Sequence, residues 1–166
     1  YVSGVGFKGE TIRDRQMADN LLWLIKNKYS ARKIIVWAAN NHVGKKAVNN
    51  DLNNEFIIKP MGEVFTSLSS PSISIYSIGF TSLQGKAGRF GEKHYTVPKF
   101  KTNSFESWVS EKKIDYGFID FKNLSNRNEA FFMMGEMYHR YANADWATIF
   151  DGVFYIKDMY PCDELR

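Results

Sequence analysis

The chain opens with a helical stripe. From about residue 11 to 29, Met17, Leu21, Leu24 and Ile25 recur at helical spacing and predict one amphipathic helix. Thr11, with Asp14 three residues on, reads as its capping box. Arg13 and Asn20 fall in line with Met17 and Leu24, so two polar side chains border the face expected to pack inward. They are either a buried pair satisfied by nearby backbone or groups turned toward a substrate.

The pattern then changes. Residues 33–46 read KIIVWAANNHVGKK, an unbroken apolar run that stops abruptly in small and polar residues. Ile34, Ile35, Val36 and Trp37 predict a strand buried on both faces, as in a parallel sheet covered by helices. Ligands in open α/β sheets gather just past the carboxyl ends of such strands. That places Asn40, Asn41 and His42 where chemistry is expected.

Residues 1–10 are Gly-rich and read as a loop or a short edge segment, and 44–58 as an exposed connection. Pro60 and Met61 open a short helix to about Leu68, since proline suits a first helical turn. Ser72–Phe80 alternates and reads as a strand, and Thr81–Gly91 reads as a mobile loop with three glycines. His94–Pro98 is extended. Residues 104–112 form a short helix capped by Ser104, and Asp115–Phe121 is a strand. Residues 127–142 suit helix or strand, 145–150 make one helical turn, and Asp151–Lys157 is a last strand. Strands separated by helices predict an α/β layered domain with a mostly parallel central sheet flanked by helices.

Composition adds bounds. At 166 residues and 44% hydrophobic, the chain has the size of one domain with a real core. The net charge of +4 is uneven: residues 1–50 hold nine Lys/Arg against three Asp/Glu. These basic residues are scattered and form no recognised nucleic-acid motif, so a solvated helix face is the plainer reading and nucleic acid is not an expected partner. No apolar run approaches the length of a membrane span. The lone Cys162 excludes an internal disulfide and fits a reducing, cytoplasmic setting.

Sequence motifs for chemistry are few. There is no Gly-x-Ser-x-Gly elbow, no His-Glu-x-x-His, no paired cysteine and no Walker loop. His42, His94 and His139 have no metal spacing, so neither metal nor cofactor is expected. His42 is the acid–base candidate, because imidazole titrates near neutrality. His94 and His139 read as packing or loop histidines, and Asp151 as a cap.

The segments RDRQMADNLLWLI (Arg13–Ile25) and IIVWAANNHVGK (Ile34–Lys45) resemble the erythromycin esterase family, which includes succinoglycan biosynthesis homologues. PMG (Pro60–Gly62), YSIGF (Tyr76–Phe80), DYGFIDFKNL (Asp115–Leu124) and FDGVFYI (Phe150–Ile156) follow in the family's order. The resemblance implies a metal-independent hydrolase of a carboxylic ester or macrolide lactone, in which histidine assists attack by water. It implies catalytic roles for His42 and Arg13, with Asn40, Asn41 and Asn20 as substrate-binding candidates. Ala39 stands where the family motif has its first histidine. The family's upstream segment, with its base histidine and glutamates, has no counterpart in the sequence. The chain is therefore expected to be the C-terminal portion of a longer protein and inactive alone, with association through apolar surface left exposed. The alternative expectation is a catalytically degenerate binding or scaffold module.

Overall fold

The structure, a computed structural model, describes residues 3–48, 59–89, 91, 93–124 and 129–161, with side chains from residue 12 onward. Residues 1–2 of the expected opening loop, 49–58 of the expected connection, 127–128 of the ambiguous stretch and Cys162 lie outside the described residues.

Helix α1 spans Ser3–Asn27, so most of the expected opening loop is helical and Thr11 lies within the helix, not at its cap. Each helical glycine costs roughly 1 kcal/mol against alanine, but a nucleated helix gains a backbone bond with every added residue. The expected stripe is met in part: Met17, Leu21 and Ile25 pack in this cluster, but its buried members on α1 are Ala18 and Leu22, and Leu24 does not join it. Their partner is helix α3, Met61–Leu68, through Met61, Val64 and Phe65. Arg13 and Asn20 are exposed, not turned into this interface. Between these helices in sequence lies α2, Asn40–Val43, a single turn.

The central sheet has strands β1 (Ile78–Ala87), β2 (Tyr95–Thr96), β3 (Tyr116–Asp120) and β6 (Gly152–Met159) in the order β2-β1-β6-β3. The α/β layering matches the expectation from sequence. The pairing is more mixed: β1 and β6 run parallel, while β1–β2 and β3–β6 are antiparallel. A two-stranded ribbon pairs β4 (Phe131–Met133) with β5 (Ala142–Ala144), so the ambiguous stretch holds both kinds of structure: strand at Phe131–Met133 and a 3-10 turn at Met137–His139 before β5. Helices α4 (Phe105–Ser110) and α5 (Trp146–Ile149) fall where expected, and Ser104 caps α4 by accepting the Ser107 N–H.

Two strand expectations are corrected. The strand of YSIGF begins at Ile78 and continues through Ala87, so most of the expected mobile loop is sheet. Thr81, Ser82 and Leu83 are buried there, and Thr81 and Ser82 pair in register with Tyr155 and Ile156. Gly85, at φ +108°, lets β6 approach: a Cβ there would lie 2.3 Å from the Met159 carbonyl oxygen. The second correction is larger. Ile34–Trp37 forms no strand and joins no sheet among the described residues, and Ile35 and Trp37 are 89% and 85% exposed. The Phe80 backbone groups that a neighbouring strand would bond are taken instead by the Asn40 side chain.

The core lies on one side of the sheet. Leu83, Val153 and Tyr155 pack against Phe105, Val109, Trp146, Ile149 and Phe150 in one cluster. Alternation along the strands sends Phe80, Phe118 and Phe154 to the other side, where each stays substantially exposed.

Candidate active site

The structure brings His42, Arg13 and Asp14 together. Asp14 is fully buried on α1, and its Oδ2 accepts the His42 Nδ1–H at 2.9 Å and the Met61 backbone N–H at 3.0 Å. One carboxylate oxygen thus ties α1 to α2 and to the first turn of α3. A carboxylate can only accept, so it fixes the proton on Nδ1 and leaves Nε2 as the nitrogen with a lone pair. Arg13 Nη2 lies 3.4 Å from that Nε2, and Arg13 Nε lies 3.5 Å from Asp14 Oδ1. Asp14 Oδ1 is buried and makes no hydrogen bond. The arrangement is a buried carboxylate, an imidazole of fixed tautomer and a half-exposed guanidinium grouped together.

The helical turn that carries His42 is clamped from several sides. Asn40 donates from Nδ2 to the carbonyls of Phe80 (2.7 Å) and Gly135 (3.0 Å), and its Oδ1 accepts the Phe80 N–H at 2.9 Å. Ser77 Oγ donates to the Val43 carbonyl, and the Lys45 N–H donates to Ile149. Gly62 in α3 sits so close that a Cβ would come 2.4 Å from the Val43 carbonyl oxygen. Asn40, expected to bind substrate, therefore has its amide committed to the sheet edge. Asn41 is exposed, and Asn20 is exposed and accepts from Gln16 Nε2 on its own helix. Neither has a described contact with His42.

Two further polar clusters escaped sequence reasoning. Asp151 is buried before β6, where it accepts from Lys45 Nζ at 2.7 Å and from the Ser77 N–H at 2.7 Å, with Lys122 Nζ at 3.5 Å. Beside it Tyr76 donates to Asp120 at 3.0 Å; desolvation, and then that carboxylate, push the phenol up to about 12. Asp151 is thus an ion-pair centre as well as a residue opening a strand. The second cluster joins Ser82 Oγ to His139 Nε2 at 2.7 Å and Tyr95 OH to His139 Nδ1 at 2.8 Å. Burial pushes the His139 imidazole down and the Tyr95 phenol up, so both are neutral in ordinary buffers. His139 follows Tyr138 in a left-handed turn, at φ +55° and +61°. The expectation of packing stands for His139, but as a hydrogen-bonded strut between β1 and β2. Spacing alone could not reveal it, because Ser82, Tyr95 and His139 come from three separate elements.

Among the described residues no group of three or more His, Cys, Asp or Glu could hold a metal ion. No described helix is long and apolar enough to cross a membrane.

The fold is a helix-flanked mixed α/β sheet, with the turn that carries His42 bonded to its first strand through Asn40. The chain belongs to the erythromycin esterase family, whose model matches residues 5–159. It is similar to erythromycin esterase type II of Escherichia coli, with 27% identity over 169 residues, covering 95% of this chain and 39% of that protein. Among solved structures it resembles a succinoglycan biosynthesis protein, with a TM-score of 0.70 at 17% identity over 90% of this chain and 38% of that one. It also resembles a mutant of the erythromycin esterase EreC in its open conformation, with a TM-score of 0.67 at 17% identity over 89% and 37% of the two chains. A protein from Bacillus cereus gives a TM-score of 0.66 at 19% identity, over 86% and 36%. These structural likenesses show a shared fold. The chain spans about two-fifths of the length of the relatives it matches.

Proposed function

We propose that the chain carries one wall of the active site of a hydrolase that opens a carboxylic ester or macrolide lactone with water. The carrying observation is the Asp14–His42–Arg13 group, in which Nδ1 is held by the carboxylate and Nε2 faces the Arg13 guanidinium. In this reading the long Arg13 contact gives way to water, and Nε2 of His42 accepts the water's proton as the water oxygen bonds to the acyl carbon. The charge that appears on the ring lies against the buried Asp14 carboxylate. Arg13, half-exposed beside Nε2, faces the oxygen that becomes negative. The tetrahedral adduct then expels the alkoxide, which takes the proton from His42, leaving acid and alcohol.

Ester hydrolysis needs a base, an oriented water and a stabiliser for the oxyanion. The group offers one imidazole and one cation, and Ala39 stands where the family motif has a further histidine. The proposal therefore includes low or absent turnover by this chain alone, with a second base supplied by the portion of the family fold that it does not span. No metal enters the proposed step.

The test is to incubate the purified chain with erythromycin and follow ring-opened product by mass spectrometry, with binding measured by calorimetry in parallel. Binding without turnover, lost in His42→Ala, supports a wall of a hydrolase site. Fast turnover that survives His42→Ala overturns the assignment. A second reading, a binding module without catalysis, is favoured by Ala39 and by the committed amide of Asn40. It predicts binding that His42→Ala leaves intact.

A further inference from the structure

We propose that the open face of the central sheet is the docking surface for the part of the erythromycin esterase fold that lies outside the region this chain matches. This role needs nothing from His42. The face is built by register. Phe80 of β1 and Phe118 of β3 are the direct cross-strand partners of Phe154 on β6. The rings touch in sequence: Trp37 to Phe80 at 5.6 Å, Phe80 to Phe154 at 5.6 Å, Phe154 to Phe118 at 5.1 Å, and Phe118 to Tyr76 at 6.5 Å between centroids. Tyr116 extends the row on the same face of β3.

These rings are only partly covered. Phe80, Phe154 and Phe118 are 37, 39 and 45% exposed, Tyr76 43%, Tyr116 72% and Trp37 85%. At about 200 Å² per ring, their exposed fractions leave on the order of 650 Å² of apolar surface. That exceeds the largest patch of a typical monomer, roughly 300–600 Å², and approaches the roughly 800 Å² that each partner buries in a stable interface. The core cluster lies on the opposite face of the sheet, against α4 and α5.

The occupant follows from the relatives. Three solved chains share this fold over 86–90% of the present chain, yet that match uses only 36–38% of each of them. More than three-fifths of each relative lies elsewhere and has to pack against something. The aromatic row is the exposed apolar surface on which such a layer would lie. Ile35, 89% exposed beside Trp37, marks the rim of the same surface.

The experiment joins the unmatched portion of the Escherichia coli relative to the whole present chain and compares hydroxyl-radical footprints with the chain alone. Tethering gives effective concentrations of about millimolar, so divergence between the halves does not limit contact. In the chain alone, Trp37, Phe80, Phe118 and Phe154 are expected to oxidise readily and the protein to bind an apolar dye. In the joined protein these rings are expected to be protected about fivefold or more, as for residues at a buried interface core. Phe118→Lys with Phe154→Lys is expected to cancel the protection, and in the chain alone to reduce dye binding. Failure of the chain alone to bind dye overturns the proposal. So does protection centred on Trp108 of α4 in place of these rings. A discrete dimer of the chain alone that shields the same rings assigns the face to a second copy and likewise overturns it.

Discussion

Removing the Asp14 carboxylate tests the candidate site and the helix packing together. Its Oδ2 holds two donors, His42 Nδ1–H and the Met61 N–H, in a position closed to water. In Asp14→Ala the Met61 donor is left buried and unpaired, which costs about 1–3 kcal/mol. The lost charge-assisted bond to His42 adds roughly 1.5–3 kcal/mol, so the total is about 2.5–6 kcal/mol. Asp14→Asn behaves differently. Its amide oxygen keeps both contacts, and its NH₂ occupies the place of the unbonded Oδ1. Neutral bonds are about half as strong as charge-assisted ones, but an incompletely paired buried charge is removed, so the net change is within about 1–2 kcal/mol. Urea unfolding followed by tryptophan fluorescence gives both values from the midpoints at constant slope. Nitrogen chemical shifts of His42 report the tautomer, with the proton on Nδ1 in the wild type and mixed tautomers in Asp14→Ala. An Asp14→Ala protein that loses less than about 1 kcal/mol would refute the idea that this carboxylate joins the three helices.

Other perturbations reach the fold from different sides. Gly62→Ala puts a methyl 2.4 Å from the Val43 carbonyl oxygen and is expected to cost about 2 kcal/mol or more through separation of α2 from α3, read from thermal midpoints. Asn40→Ala strips the Phe80 N–H and carbonyl of their partner, and a loss of roughly 2 kcal/mol with faster amide exchange at Phe80 is expected. Burial raises the Glu106 carboxyl above its usual 4.5, so its contribution is full below that pH and fades as pH rises through the folded value; Glu106→Gln is expected to remove this decline from the wild-type melting profile. Burial lowers His139 below 6.5, so its contribution is present above that pH and is lost as pH falls toward the folded value; an NMR titration of the ring checks the direction.

The elements legible in the sequence are those whose local signals agree with their packing. Helix α3 follows Pro60, α4 follows the Ser104 cap, and β3 and β6 are short apolar runs between polar turns. The elements that were misread depend on partners far along the chain. Thr81–Ala87 carries loop residues in composition, yet it is strand because Thr81 faces Glu106 and Gly85 admits Met159. Asp14 has the spacing of a capping box, but capping is a property of a helix end, and here the helix begins eleven residues earlier. The carboxylate is therefore free to face α2. His42 was recognisable because it follows an apolar run in a family-like motif. Its partner was hidden because the 28-residue separation of Asp14 from His42 carries no spacing rule.

The run Ile34–Trp37 joins these threads. Its composition is that of a strand covered on both faces, and that composition answers a demand for burial, not a backbone preference. In the described chain the demand is unmet: the run lies open, and its last residue touches the first ring of the aromatic row through Trp37 and Phe80. The same two elements also anchor the candidate site. Asn40, three residues after Trp37, bonds the backbone of Phe80, and two residues later comes His42. Any layer that settles on Trp37 and Phe80 therefore presses on the segment that aims the imidazole. Covering the aromatic face is thus expected to steady the candidate site as well. The joined protein described above is expected to reveal that coupling: ring protection at Phe80 and slowed amide exchange at His42 should appear together. Protection of the rings with unchanged exchange at His42 would separate the two.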